Sequence, residues 1–287
     1  QKKSSHVFTA QERKEWEPVI KEFEERTGWN VRVETGSAKE MLSQLEKEEA
    51  DWDVAFGVSA DALEEGKEYW QTGKDAWTGY SAVSFVILYN TNVVTYRELP
   101  TGWDSLLEPR WKGRVAVPDP LKSDMAASVL TEAAKNSEKE EFLDLLAENM
   151  QYQMPETFKE VEQGISDGRY SIGVTSEEAA KAMLAAGQDV DYIDPEEGEC
   201  FFEDGTAIRK RTPNLDASEA FVTYTTCDDT KWLLRTQLLR QPAEDVSAEN
   251  DRSDEELKQR YSRQQEILNI WKLIMEEKTG PAHEQEQ

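Results

Sequence analysis

The sequence predicts an α/β protein of two lobes, and three observations carry that prediction. Short apolar, strand-like runs alternate with helical periodicity along most of the chain. The most strand-like stretch, SAVSFVILY at 81–89, gives way after Asn90 to loop composition with Pro100, Gly102 and Pro109, as at a crossing between domains. At 287 residues the chain is long enough for two compact domains, each with its own core.

The elements follow in order. From Gln11, Trp16, Val19, Ile20 and Phe23 recur at helical spacing; the helix ends at Thr27-Gly28 and runs into Val31 and Val33, which alternate as in a strand. Ser37 opens a second helix through Met41, Leu42 and Leu45, a strand from Asp53 to Phe56 follows, and Ser59 opens another helix. Alternation of this kind implies parallel strands joined by helical crossovers. Past the first crossing the grammar repeats: strand Arg114–Val117, a helix from Ser123 to Ala134, helices around 142–146 and 158–161, and strand Tyr170–Val174, after which Thr175-Ser176 opens a helix. Val190–Ile193 and Glu199–Arg209 read as extended, the latter as the return crossing, and Asp216–Thr226 as helical. The chain closes with a polar, acidic loop near Glu249 and a long amphipathic helix through Leu257, Tyr261, Leu268, Trp271 and Met275, whose stripe reads as packing surface. Residues 1–88 with 200–287 form the first lobe in this reading, and 89–199 the second.

Composition narrows the function classes. Fifty-nine acidic against thirty-three basic residues give a net charge of −26, which repels nucleic-acid phosphates and anionic lipid. No apolar run approaches the roughly 20 residues that span a bilayer. The first residues, QKKSS, carry no signal-peptide pattern. Cys200 and Cys227 lack metal-ligand spacing and read as two buried free thiols.

Catalytic signatures are weak. Gly164-Ile165-Ser166-Asp167-Gly168 satisfies G-x-S-x-G, but a nucleophile elbow leads from a strand into a helix, and here a helix precedes and a strand follows. The histidines, His6 and His283, supply no base downstream in a folded region. Walker A, G-x-G-x-x-G and H-E-x-x-H patterns are missing, so no enzyme activity, metal or cofactor is expected. More informative are Ser37, Ser59, Ser123 and Ser176, each at a junction between a strand end and the next helix. Any one of them reads first as a cap for its own helix. Four together lie where open α/β sheets bind ligands, beside helix N-termini whose N–H groups attract anions.

Three segments carry a family resemblance: VFTAQERKEWEPVIKEFEERTGWNVRVETGS at 7–37, DVAFGVSADAL at 53–63, and YNTNVVTYRELPTGWDSLLEPRWKGRVAVPDPLKS at 89–123. Weaker echoes continue through GVTSEEAAKAMLAAG, PEEG, AIRKRTPNLDASEAFVTY and the closing helix with Trp271. The chain resembles the extracellular solute-binding proteins of ABC transporters, in the subgroup of ferric-iron, phosphonate and hexose-phosphate binders. The resemblance implies a type II periplasmic-binding-protein fold, two α/β lobes joined by two hinge strands with a ligand cleft between them. It implies a monomeric receptor outside the cytoplasm, periplasmic or lipid-anchored, that hands a small molecule to a membrane permease or reports it to a membrane sensor kinase. Ligand contacts in relatives match Thr9, Ala10, Gly36, Ser37, Ser59, Ser123, Thr175 and Ser176. Trp77 and Tyr80, just before the first crossing, are candidates to line the remainder, with a core or surface role as the equal alternative.

The departures bear on the ligand. Ferric binders resembling this chain carry an adjacent tyrosine pair where Thr175-Ser176-Glu177 stands. Phenolate suits ferric iron, whereas hydroxyls donate to anionic oxygens, so a phosphate or phosphonate ester is expected ahead of iron or another cation. Asp124, Glu177 and Glu178 oppose that expectation if their carboxylates face the ligand.

Overall fold

The computed structural model describes residues 4–73, 75–246 and 252–280. The chain opens with β1 (Ser4–Thr9) and α1 (Arg13–Thr27). A capping box between Glu12 and Glu15 starts α1, and Gly28, at φ 68°, ends it by returning its N–H to Glu24 O. β2 (Asn30–Thr35), α2 (Ala38–Glu46), β3 (Val54–Ser59) and α3 (Ala60–Glu65) follow, then β4 (Thr78–Asn90). Three short 3-10 turns between Tyr96 and Trp111 replace regular structure in the Pro- and Gly-rich stretch. Next come β5 (Val115–Ala116), α4 (Asp124–Asn136), α5 (Phe142–Asn149), α6 (Phe158–Ser166), β6 (Ile172–Ser176), α7 (Glu177–Ala185) and β7 (Val190–Ile193). The return runs through β8 (Cys200–Ile208), α8 (Leu215–Thr225), α9 (Asp228–Leu233), β9 (Gln241–Pro242) and α10 (Ala243–Val246), and α11 (Asp254–Thr279) is last.

The chain divides into two compact units, Gln1–Val83 with Phe202–Tyr261 and Ser84–Phe201 with Ser262–Gln287. It passes from one to the other inside β4, between Val83 and Ser84, and inside β8, between Phe201 and Phe202, whereas the sequence reading put these boundaries at 88/89 and 199/200. The sequence reading gave all of 200–287 to the first lobe, whereas the later turns of α11 group with the second unit. Twenty-six residues make a rod of about 39 Å. Its early turns are tied to the first unit by Arg260, 3.6 Å from Asp61, and by Tyr261 on that unit's core. The buried seam is Leu257, Arg260, Gln264, Trp271 and Ile274. The acidic loop near Glu249 lies outside the described residues.

In the first unit β1 is flanked by parallel neighbours, β2 on one side and β3 on the other, and β8 lies antiparallel to β3. Successive β1 residues point to opposite faces. Val7 joins Val19, Ile20, Phe23, Phe56 and Phe221 under α1 and α8. Phe8 joins Met41, Leu42, Trp52, Leu63 and Trp70 under α2 and α3. Apolar surface on both faces is why β3 is buried along its whole length. In the second unit β5 and β6 are parallel, and the end of β4 runs antiparallel to β6 and β7. Its core gathers Val86, Leu88, Val161, Ile165, Ala180 and Met183.

The G-x-S-x-G match is a helix-to-strand turn. α6 ends at Ser166, Gly168 takes φ 79°, and a Cβ on Gly164 would run into the Tyr170 ring. Both cysteines are thiols; Cys200 is buried, and Cys227, at the N-cap of α9, is half-buried rather than fully buried as expected.

Candidate functional site

Register brings the first-unit candidates to one edge. Thr9 pairs with Thr35 and with Phe56, so the carboxyl ends of β2, β1 and β3 are side by side. Ala10 leaves β1, Gly36 and Ser37 leave β2, and Ser59 ends β3. The Gly36 N–H donates to Thr9 O at 3.2 Å, tying two of these loops together. Gly36 has no room for a side chain, because a Cβ there would sit 2.7 Å from Glu40 Oε2 and 2.9 Å from the Phe8 ring. Gly57 bulges β3 at φ 63°, and its bare Cα accommodates the Gln11 side chain.

Each serine caps its own helix. Ser37 Oγ accepts from Glu40 N–H at 3.1 Å and Glu40 Oε2 accepts from Ser37 N–H at 2.6 Å, a complete capping box. Ser59 Oγ accepts from Ala62 N–H at 3.3 Å. In the second unit Ser123 Oγ accepts from Ala126 N–H at 3.2 Å and Ser176 Oγ from Ala179 N–H at 3.1 Å. Thr9 Oγ1 does the same for Gln11 N–H at 3.2 Å. A hydroxyl that caps in this way uses a lone pair and keeps its proton to donate. Capping and ligand binding are therefore compatible.

Thr175 differs from that expectation. Its hydroxyl donates to Glu162 Oε1 at 2.8 Å, and the residue is fully buried. Its proton is given to a carboxylate, a contact the capping serines do not make. Ser59 and Thr9 are also buried, whereas Ser37, Ser123 and Ser176 are half-buried. Tyr80, expected as a lining candidate, is core: its ring lies 4.7 Å from Phe56, and burial pushes its phenol well above the usual range. Trp77 donates from Nε1 to Glu64 Oε2 at 3.1 Å and packs against the first-unit core. Glu177 and Glu178 lie 2.8 and 3.6 Å from Lys181 one turn along α7, pairings between neighbours on the helix.

Sequence reasoning missed the support beneath the first-unit edge. Arg240, 5% exposed, donates to Asp204 Oδ2 at 2.9 Å, to Ser81 Oγ at 3.0 Å and to Glu15 Oε1 at 2.7 Å. Asp204 also accepts from Ser81 N–H at 3.0 Å and from Gln11 Nε2 at 3.0 Å. Burial raises the Asp204 carboxyl above its ordinary value against the pull of Arg240. For Glu15 burial works the same way, but Arg240 and the hydrogen bonds around it prevail and hold the carboxyl below its ordinary value. Asp204 stands opposite Ser59 in the β3–β8 register, and Gln11 follows Ala10, so the network holds the strand ends from below. The partners are far apart in sequence, and no motif links them.

Two concavities open on the described residues, the larger lined in part by Glu162, the partner of Thr175. One of about 660 Å³ in the second unit is lined by Lys159, Asp167, Arg169 and Gln188, and one of about 290 Å³ in the first by Trp29, Pro213 and Asn214. Neither is lined by Ser37, Ser59, Ser123 or Ser176.

Residues 57–265 match the family described as bacterial extracellular solute-binding protein. Iron uptake protein A1 of Synechocystis is 23% identical over 235 residues, 70% of this chain and 65% of its own length; this chain thus spans less than two thirds of that relative. The structure of the periplasmic binding protein P5PA superposes with a TM-score of 0.76 at 16% identity, covering 96% of this chain and all of that one. The periplasmic binding protein AfuA from Actinobacillus pleuropneumoniae, solved with exogenous fructose-6-phosphate bound, gives a TM-score of 0.69 at 16% identity, covering 84% of this chain and 85% of that one. The fold is that of the periplasmic binding proteins. Among the described residues no helix is long and apolar enough to cross a membrane.

Proposed function

Because the chain belongs to the family of bacterial extracellular solute-binding proteins, we propose that it is a receptor for a small anionic solute bearing a phosphate or phosphonate group. The observation that carries this reading is the set of capping serines at the carboxyl ends of the parallel strands. Ser37, Ser123 and Ser176 each accept from their own helix and keep a hydroxyl proton for an anionic oxygen, at helix ends whose dipoles favour negative charge. Capture proceeds by closure of the two units about the crossings in β4 and β8, and the solute passes to the permease of an ABC transporter outside the cytoplasm. Thr9, Ala10, Gly36 and Ser59 shape the first-unit edge, and Thr175 orients Glu162. The protein performs no chemistry on its ligand.

A second reading, ferric iron, is favoured by the name of the Synechocystis relative. Against it, the end of β6 offers Thr175 and Ser176 in place of phenolates.

A thermal-shift screen with sugar phosphates, phosphonates, inorganic phosphate, carboxylates and ferric salts separates the two. A phosphate or phosphonate ester at 100 times its dissociation constant stabilises the fold by about 2.7 kcal/mol, and Ser123→Ala weakens that hit. Stabilisation by ferric salts alone replaces this reading with the second.

A further inference from the structure

β1 carries another constellation upstream of the strand-end loops. His6 lies three residues before Thr9, about 10 Å along the strand at ~3.3 Å per residue. We propose that His6, Glu34 and Asp51 form a binding site for a first-row divalent cation of the zinc type, separate from the solute site.

His6 is only 8% exposed, yet its Nε2 has no hydrogen-bond partner and lies 3.7 Å from Glu34 Oε2. Its Nδ1 lies 3.5 Å from Asp51 Oδ1. One donor atom from each of the three residues falls within 4.8 Å of both others. Two ligands of a tetrahedral zinc-type ion, at about 2.1 Å each, stand about 3.4 Å apart, so the site closes with a shift of up to about 1.4 Å and a turn of the imidazole that brings one ring nitrogen to both carboxylates. Asp51 makes that shift. It is exposed and lies on the short link between α2 and β3, whereas the other two residues are held in place.

The holding contacts are those a metal site uses to orient its ligands. Buried Trp52 donates from Nε1 to Gln44 Oε1 at 2.7 Å, and Gln44 Nε2 donates to Glu34 Oε1 at 2.7 Å. One carboxylate oxygen is thereby fixed and the other left facing His6. The His6 backbone is fixed on both sides, its N–H donating to Asp53 Oδ2 at 2.8 Å and its carbonyl accepting from Asp53 N–H at 2.6 Å. One imidazole and two carboxylates suit zinc-type ions rather than calcium or magnesium, which take six or more oxygens. The net charge of −26 raises the local concentration of any divalent cation.

Calorimetric titration of the full chain with zinc chloride at neutral pH tests the assignment. One equivalent binds; His6→Gln and Glu34→Gln each lose at least tenfold in affinity, Gln44→Leu loses about tenfold through misorientation, and His283→Gln binds as the parent does. Asp51→Asn, an exposed substitution that leaves the fold intact, loses at least tenfold and keeps the test decisive if His6→Gln misfolds. Absence of zinc binding, or unchanged affinity in Asp51→Asn, overturns the site and shows a histidine ion-paired with carboxylates and nothing more. Either result is independent of the solute screen, because no residue is shared.

Discussion

The strand ends of the two units use one device on different foundations. In both, a serine at the exit of a parallel strand caps the next helix, Ser37 and Ser59 in the first, Ser123 and Ser176 in the second. Beneath the first-unit ends lies a buried ion network that joins Gln11 in the β1–α1 loop, Glu15 on α1, Ser81 on β4, Asp204 on β8 and Arg240. Beneath β6 the polar support is the pair Thr175 and Glu162, with Lys159 at 3.7 Å. A cap is a local contact that costs little to place. A buried network costs desolvation and returns fixed geometry, and Arg240 reaches both the loop after β1 and the residues of β4 and β8 nearest the crossings. The first unit thus anchors its strand ends through a buried ion network, whereas the second anchors the end of β6 through a cap and one buried side-chain pair.

Three substitutions break or sharpen that contrast. Arg240→Met has the largest effect, because it leaves buried Asp204 and half-buried Glu15 without their cation; unfolding free energy in a denaturant titration falls by about 3–5 kcal/mol. A loss below about 1 kcal/mol would show that the network does not anchor those strand ends. Next, Glu15→Gln tests the sign of its pKa shift. The folded carboxyl titrates below its ordinary 4.5, so its contribution is complete above that pH and disappears as pH falls through the folded value. The stability gap between parent and Glu15→Gln should be constant from pH 7 to 5 and shrink at lower pH; a gap that widens on acidification refutes the assignment. The smallest effect belongs to the caps. Ser37→Ala and Ser176→Ala each cost about 1 kcal/mol, equal within error in the two units, whereas dissociation constants for the solute rise in both.

What could be read from the sequence follows the range of the interactions concerned. The capping box of Ser37 and Glu40, the stop at Gly28 and the αβ alternation depend on residues a few positions apart, so pattern alone placed those helices and strands. The serines at helix starts were visible for the same reason. The roles of Thr175 and Tyr80 were not, because whether a hydroxyl or an aromatic ring faces solvent or a partner depends on what packs above it: Glu162 on α6 for one, Phe56 on β3 for the other. The end of the chain was half legible, its amphipathic period giving a packing helix but not the two units its length serves.

By itself the sequence determined the α/β class and the serines that cap helices at the strand ends, both of which rest on local periodicity and residue chemistry. Only the tertiary structure decided that Arg240 joins Glu15, Ser81 and Asp204, and that His6 meets Glu34 and Asp51 across neighbouring segments. Such meetings depend on strand order and register, which bring distant residues within a few ångströms and leave no period in the sequence.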